Sequence, residues 1–155
     1  MKTKSELIAP LSDAYLKELA GHFASLDLPY PPPQKPTLPV AELARGEQLI
    51  RTGDAARRLP ACTACHGERL TGVRPGVPGL LGLSRDYLNG QLGAWRSGQR
   101  RAQAPDCMAH IAKALTEPEI NAITQVLAGQ AVPTDPHPLA AQPAPAPMRC
   151  GGLAP

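Results

Sequence analysis

Aromatic side chains are scarce in this chain: Tyr15, Phe23, Tyr30, Tyr87 and Trp95 are all that 155 residues provide. A core of Ala, Leu and Ile at this length is thin, because large aromatic side chains normally supply much of the buried area. Long apolar runs are missing too. No stretch approaches the roughly 20 apolar residues needed to span a bilayer. Met1–Ala9 has Lys2, Lys4 and Glu6 with no apolar segment behind them, so it does not read as a secretory signal. No dense basic run interleaved with aromatics occurs, which argues against nucleic-acid binding. Nor does any segment read as a strand, and the chain is expected to be all-α.

What charge there is lies unevenly. The net charge is +3, and residues 45–130 hold eleven Arg/Lys against seven Asp/Glu. These are mostly arginines, spread rather than clustered, and a diffuse positive field suits docking to an acidic partner.

Nineteen prolines and fourteen glycines mark the boundaries between helices. Residues 11–26 read as an amphipathic helix capped by Ser12, with Leu16, Leu19, Ala20 and Phe23 at helical spacing. Residues 29–39 must be extended and polyproline-like. Residues 40–52 form a second helical pattern through Leu43, Leu49 and Ile50, and Gly67–Gly82 reads as loop. Ser84 caps a third helix to about Ser97, and Thr116 caps a fourth that turns Ile120, Ile123, Val126 and Leu127 inward. The organisation expected is an N-terminal helix in 1–28, a linker in 29–40, a helical domain in 41–130 and a Pro/Ala-rich, disordered tail in 131–155.

The first and last helices repeat one pattern. Leu11-Ser12-Asp13, Leu16, Leu19, Phe23 and Ala24 match Leu115-Thr116-Glu117, Ile120, Ile123, Leu127 and Ala128 at a constant offset of 104. Either the pattern is generic, or the first helix closes an earlier copy of the same domain.

The chemistry sits in Cys62-Thr63-Ala64-Cys65-His66. In a C-x-x-C-H run two thiols on one helical turn reach the vinyl groups of one haem, and the histidine points at its iron. Covalent haem c also supplies the flat apolar surface that the aromatic-poor core lacks. A thioredoxin-type motif would need a preceding strand, and a zinc site would need Cys107 and Cys150 as further ligands. Neither context is visible. A Cys107–Cys150 disulfide requires an oxidising compartment; the simpler reading leaves both as free thiols. For the second axial position the candidates are Met108, Met148, His110, His22 and His137. Met108, placed in a loop just before Ile111, Ala112, Leu115 and a capped helix, is the choice, with His110 in reserve. Thioether ligation raises the haem potential and suits an electron carrier rather than oxygen chemistry.

These residues resemble a class I cytochrome c, and more narrowly the bacterial di-haem cytochrome c4 type. The likeness rests on Ala61–Gly67, on Pro78-Gly79-Leu80-Leu81-Gly82-Leu83, on Tyr87–Arg100 and on Met108–Leu127. The resemblance implies that the Pro78 carbonyl orients His66, that Tyr87 and Gln91 pack near the haem, and that Trp95 with Arg96 or Arg100 lies near its edge or propionates. It further implies an electron carrier rather than an enzyme, in the periplasm, exchanging electrons with a terminal oxidase, a cytochrome bc1 complex or a dehydrogenase. An electron-transfer subunit of a dehydrogenase complex and a haem-based redox or gas sensor are the alternatives. Against that family the chain lacks a first haem domain and an export signal. Both absences are expected if Met1 is an internal position of a longer two-domain protein.

Overall fold

The computed structural model describes residues 9–26, 28–140 and 146–152; the readings made for residues 1–8, 141–145 and 153–155 fall outside them. The chain divides between Tyr30 and Pro31 into two units, each described by itself.

Among the described residues of the N-terminal unit there is one helix, α1 (Asp13–Ser25). The Ser12 side chain accepts from the Tyr15 N–H, as its sequence predicts, yet the helix buries none of its residues. Phe23 is 67% exposed, so the apolar stripe is uncovered at this position.

The second unit holds α2 (Val40–Arg51), α3 (Thr63–His66), α4 (Arg85–Arg96), α5 (Cys107–Ala114) and α6 (Glu117–Gly129). Among the described residues the only β-type pairings are isolated bridges. Helices α2 and α6 form the principal packing, and α4 lies on both α5 and α6. Leu49, Ile50, Leu59, Leu70, Leu88, Leu115, Ile120, Ile123, Leu127 and Ala128 make the core. It is as aliphatic as the composition requires.

Two features let α2 and α6 approach closely. Gly46 in α2 faces the α6 backbone, where an added Cβ would lie 2.8 Å from the Ala122 carbonyl carbon. Glu119 of α6 takes both Arg45 (2.9 Å) and Arg57 (2.6 Å), and Asp54 takes the same two arginines. Thr116 and Glu119 complete a reciprocal capping box, which satisfies otherwise orphaned donors at the start of α6.

Three expectations change. The segment 29–40 is extended but not a free spacer: Gln34 N–H donates to Ala128 O, and Thr37 N–H to Gln125 Oε1 at 2.7 Å. Met108 is not in a loop but in the first turn of α5, because Asp106 caps Ala109 N–H and continues the apolar run into a helix. The described part of the tail is ordered against the domain. Leu139 N–H donates to Gly72 O, Arg74 N–H donates to Leu139 O, and Cys150 is disulfide-bonded to Cys107, so these two are not free thiols. Pairing across 43 residues is invisible to any local pattern.

Candidate functional site

The site begins with a turn. Cys62 has helical dihedrals and its carbonyl accepts from the N–H groups of Cys65 and His66, so that both thiols and the imidazole project from one short helix. Thr63 is buried and its hydroxyl faces the carbonyls of Ile50 and Arg51, which anchors the turn to the end of α2. Cys62 and Cys65 are both unpaired.

The loop after the turn folds back on it. Gly72 N–H donates to His66 O, Leu80 N–H to Leu70 O, and Val73 and Val77 pair with each other. Gly72 has φ +93°, and a Cβ there would lie 2.6 Å from Val77 O, so the fold-back needs glycine at that position. The result places Pro78 O 2.8 Å from His66 Nδ1. A carbonyl only accepts, so Nδ1 carries the proton and Nε2 keeps its lone pair.

Electrostatics agree with a neutral donor set. Burial lowers the His66 pKa, opposed in part by its bond to Pro78. Burial likewise pushes the Cys62 thiol up to about 11 and raises Cys65. At neutral pH the imidazole is therefore uncharged and both thiols are protonated. Among the described residues no three His, Cys, Asp or Glu side chains gather into a group that could hold a metal ion.

The surroundings suit a flat apolar group attached at this turn. Leu80, Leu81, Leu83, Leu92 and Ile111 pack against the core yet stay half-exposed, as does Cys62 itself. The Trp95 indole N–H and the Thr71 hydroxyl are buried without a hydrogen-bond partner. Such orphans are costly unless something else satisfies them. A haem carries both the apolar face and the carboxylates for such a setting, so the residues fit that group.

The remaining candidates fall in different places. Met108 is half-buried at the start of α5, beside the disulfide at Cys107. His110 is exposed, and exposed His137 is bonded to Asp135 at 2.9 Å. His22 is exposed on α1. Met148 is half-buried and, with Leu59, Pro60, Thr52 and Arg58, borders a cavity of about 420 Å³. Tyr87, 50% exposed, lies in the first turn of α4, and Gln91 one turn on accepts from Arg100. The Arg100 guanidinium lies 4.2 Å from the Trp95 ring centroid, and Arg96 faces Glu117 at 3.9 Å.

Sequence reasoning set the Cys107–Cys150 disulfide aside in favour of free thiols and missed the Arg45–Asp54–Arg57–Glu119 cluster. The first had a signal: two cysteines beyond the motif, in a chain whose motif implied an oxidising compartment. The second had none, because its members are spread from residue 45 to residue 119.

No protein-family model matches the chain. Among curated proteins it is 35% identical over 126 residues to the thiosulfate dehydrogenase electron acceptor of Thiomonas intermedia, covering 81% of this chain and 57% of that protein. It is also 35% identical over 81 residues to cytochrome c-554(548) of Halomonas halodenitrificans, covering 50% of this chain and 98% of that protein. The crystal structure of reduced recombinant cytochrome c4 from Pseudomonas stutzeri superposes with a TM-score of 0.66 at 30% identity, over 81% of this chain and 64% of that one. The chain thus spans a little over half the length of the Thiomonas relative.

Proposed function

The chain belongs to the class I c-type cytochromes of the cytochrome c4 type, whose cofactor is covalent haem c, and on that premise we propose that it is a periplasmic electron carrier ligated by His66 and Met108. The observation that carries this reading is the pairing of two free thiols with a buried imidazole whose Nδ1–H is held by Pro78 O at 2.8 Å. When bound, the haem iron supplies a one-electron couple.

The chain's own residues then have separate tasks. Cys62 and Cys65 form the thioether anchors. Pro78 fixes the His66 tautomer and ring orientation, which presents Nε2 to the metal. Met108 would supply a thioether sulfur as the second protein ligand, and such a ligand would favour the reduced state more than a second imidazole. The Trp95 N–H, with Arg96 or Arg100, would offer donors to the haem carboxylates, and Tyr87 and Gln91 of α4 would pack near the group. Residues 41–130 are the haem domain in this reading. Their excess of eleven basic over eight acidic residues favours an acidic docking partner such as a terminal oxidase or a cytochrome bc1 complex.

A second reading is favoured by one finding. The Thiomonas relative is named as an electron acceptor of a thiosulfate dehydrogenase. In that reading a dehydrogenase reduces this chain directly. Rapid-mixing kinetics with thiosulfate and a thiosulfate dehydrogenase would separate the two. Reduction at the dehydrogenase's turnover rate supports the second; none, with fast oxidation by a respiratory oxidase, supports the first. The assignment itself is tested by maturing the protein behind an export signal. A sharp covalent-haem spectrum with a weak far-red methionine band, lost in Met108→Ala, is expected. A colourless product would remove the carrier reading.

A further inference from the structure

We propose that the Cys107–Cys150 disulfide is a brace that positions Met108, an inference resting on the reading of Met108 as the distal ligand. The two ligand turns are held very differently. His66 is fixed by the Pro78 carbonyl, by its backbone bond to Cys62 and by the buried Thr63 next to the core. Met108 has no such enclosure on its N-terminal side. Gln99 through Pro105 are all exposed. Arg100 ties the start of this approach to α4 through Ala94 O, Gln91 and the Trp95 ring. Between Arg100 and Met108 the remaining bonds within the approach are local, Arg101 Nε to Gly98 O and Ala102 N–H to Asp106 Oδ2. Helix α5 itself is only eight residues long, too short to hold its first turn by its own hydrogen bonds.

What reaches this exposed turn from outside is the tail. Cys150 bonds covalently to Cys107, the residue next to Met108, and Gly151 N–H donates to Pro105 O at 3.0 Å. Upstream the same tail is fastened to the loop that carries Pro78. Leu139 exchanges backbone bonds with Gly72 and Arg74, and Asp135 pairs with Arg69 at 3.2 Å. One segment is therefore secured to the loop behind the proximal histidine and to the turn that bears the distal methionine. Ligation by a weakly held thioether depends on that turn staying in place, and the crosslink limits how far it can swing.

The test uses the matured, full-length haem protein. Alkylation of the denatured wild type followed by mass measurement should find neither Cys107 nor Cys150 modified. Replacing both, Cys107→Ser with Cys150→Ser, should leave the haem attached. The far-red methionine band should weaken, and the reduced protein should bind carbon monoxide at least about tenfold more readily than the wild type. Met148→Ala should behave as wild type. If the double variant does not mature, the wild type is treated with excess dithiothreitol. Cys107 and Cys150 then each gain an electron and a proton while the reagent closes to its cyclic disulfide, and the same rise in carbon monoxide binding is expected. An unchanged band and unchanged carbon monoxide binding after loss of the bond, or two alkylated cysteines in the wild type, would overturn the brace. Retention of the band in Met108→Ala sinks the ligand assignment, and the brace with it.

Discussion

Helices α1 and α6 share an apolar pattern at a fixed offset of 104, yet one is bare and the other is the most buried element of the chain. The difference lies at the positions that the shared pattern skips. Where α6 has Glu119, closing its capping box and taking Arg45 and Arg57, α1 has Tyr15. Where α6 has the small Ala122 under Gly46, α1 has Glu18, too large for so close a crossing. Thr124, bonded to Asn89, corresponds to Ala20, and Gln125, bonded to Thr37, corresponds to Gly21. Apolar spacing and an N-cap specify a helix. The small and polar residues between them specify what it packs against.

The sharpest way to break the comparison is to truncate matched apolar residues. Leu127 is 3% exposed and its partner in the pattern, Phe23, is 67% exposed. Leu127→Ala should cost about 3 kcal/mol, by lost burial and the cavity left behind. Phe23→Ala should stay within about 0.5 kcal/mol. Denaturant midpoints followed by a probe in residues 31–152 decide it. Equal losses would mean that α1 also supports the domain.

Glycines offer a second contrast. Gly46→Ala drives a Cβ into the Ala122 backbone at 2.8 Å, which no side-chain rotation relieves, and should destabilise by about 2 kcal/mol. Gly21→Ala meets nothing within 4 Å and should instead favour α1 by about 1 kcal/mol. Thermal melts of the two variants should therefore move in opposite directions, or the second not at all.

Acid separates the helices by charge. Burial pushes the Glu119 pKa up, but hydrogen bonds from Arg57, Thr116 and Arg45 outweigh it and hold it at about 2; Arg45 and Arg57 likewise hold Asp54 at about 2. A carboxylate with a depressed folded-state pKa adds stability above its ordinary value and loses it as pH falls towards the folded value. Stability should thus decline from about pH 4.5 down to about pH 2. Glu119→Gln keeps a side chain able to close the capping box but loses the charge. It should cost about 1 kcal/mol at neutral pH and flatten that acid slope, seen in denaturation series at several pH values.

How much was legible follows the same division. The caps at Ser12, Ser84 and Thr116 and the spacing of Ile120, Ile123 and Leu127 gave helices close to those observed, because such signals are local. Cys62, Cys65 and His66 were legible because the motif packs its chemistry into five residues. The Cys107–Cys150 bond, the Asp106 cap that turns Met108 into a helix, and the Arg45–Glu119 pairing were not. Each depends on residues brought together by the fold or on a cap hidden between prolines and a cysteine. Pro78 was placed through family likeness, since nothing local aims its carbonyl at His66 twelve residues earlier.

Gln125 gives the smallest and most discriminating contrast. Its Oε1 accepts from the N–H groups of Thr37 and Leu38 and from the Thr37 hydroxyl, while its Nε2 donates to Asn121. One buried amide thereby fixes the end of the proline-rich segment onto α6. Gln125→Ala should leave two backbone donors without a partner in the chain and cost about 1 kcal/mol, less where water enters. The effect should be confined: hydrogen exchange at Thr37 and Leu38 should quicken while amides in the middle of α6 stay protected. Acceleration throughout α6 would show that this segment holds the helix in place. Acceleration at residues 37 and 38 alone would show that the helix holds the segment, as the burial of α6 against α2 requires.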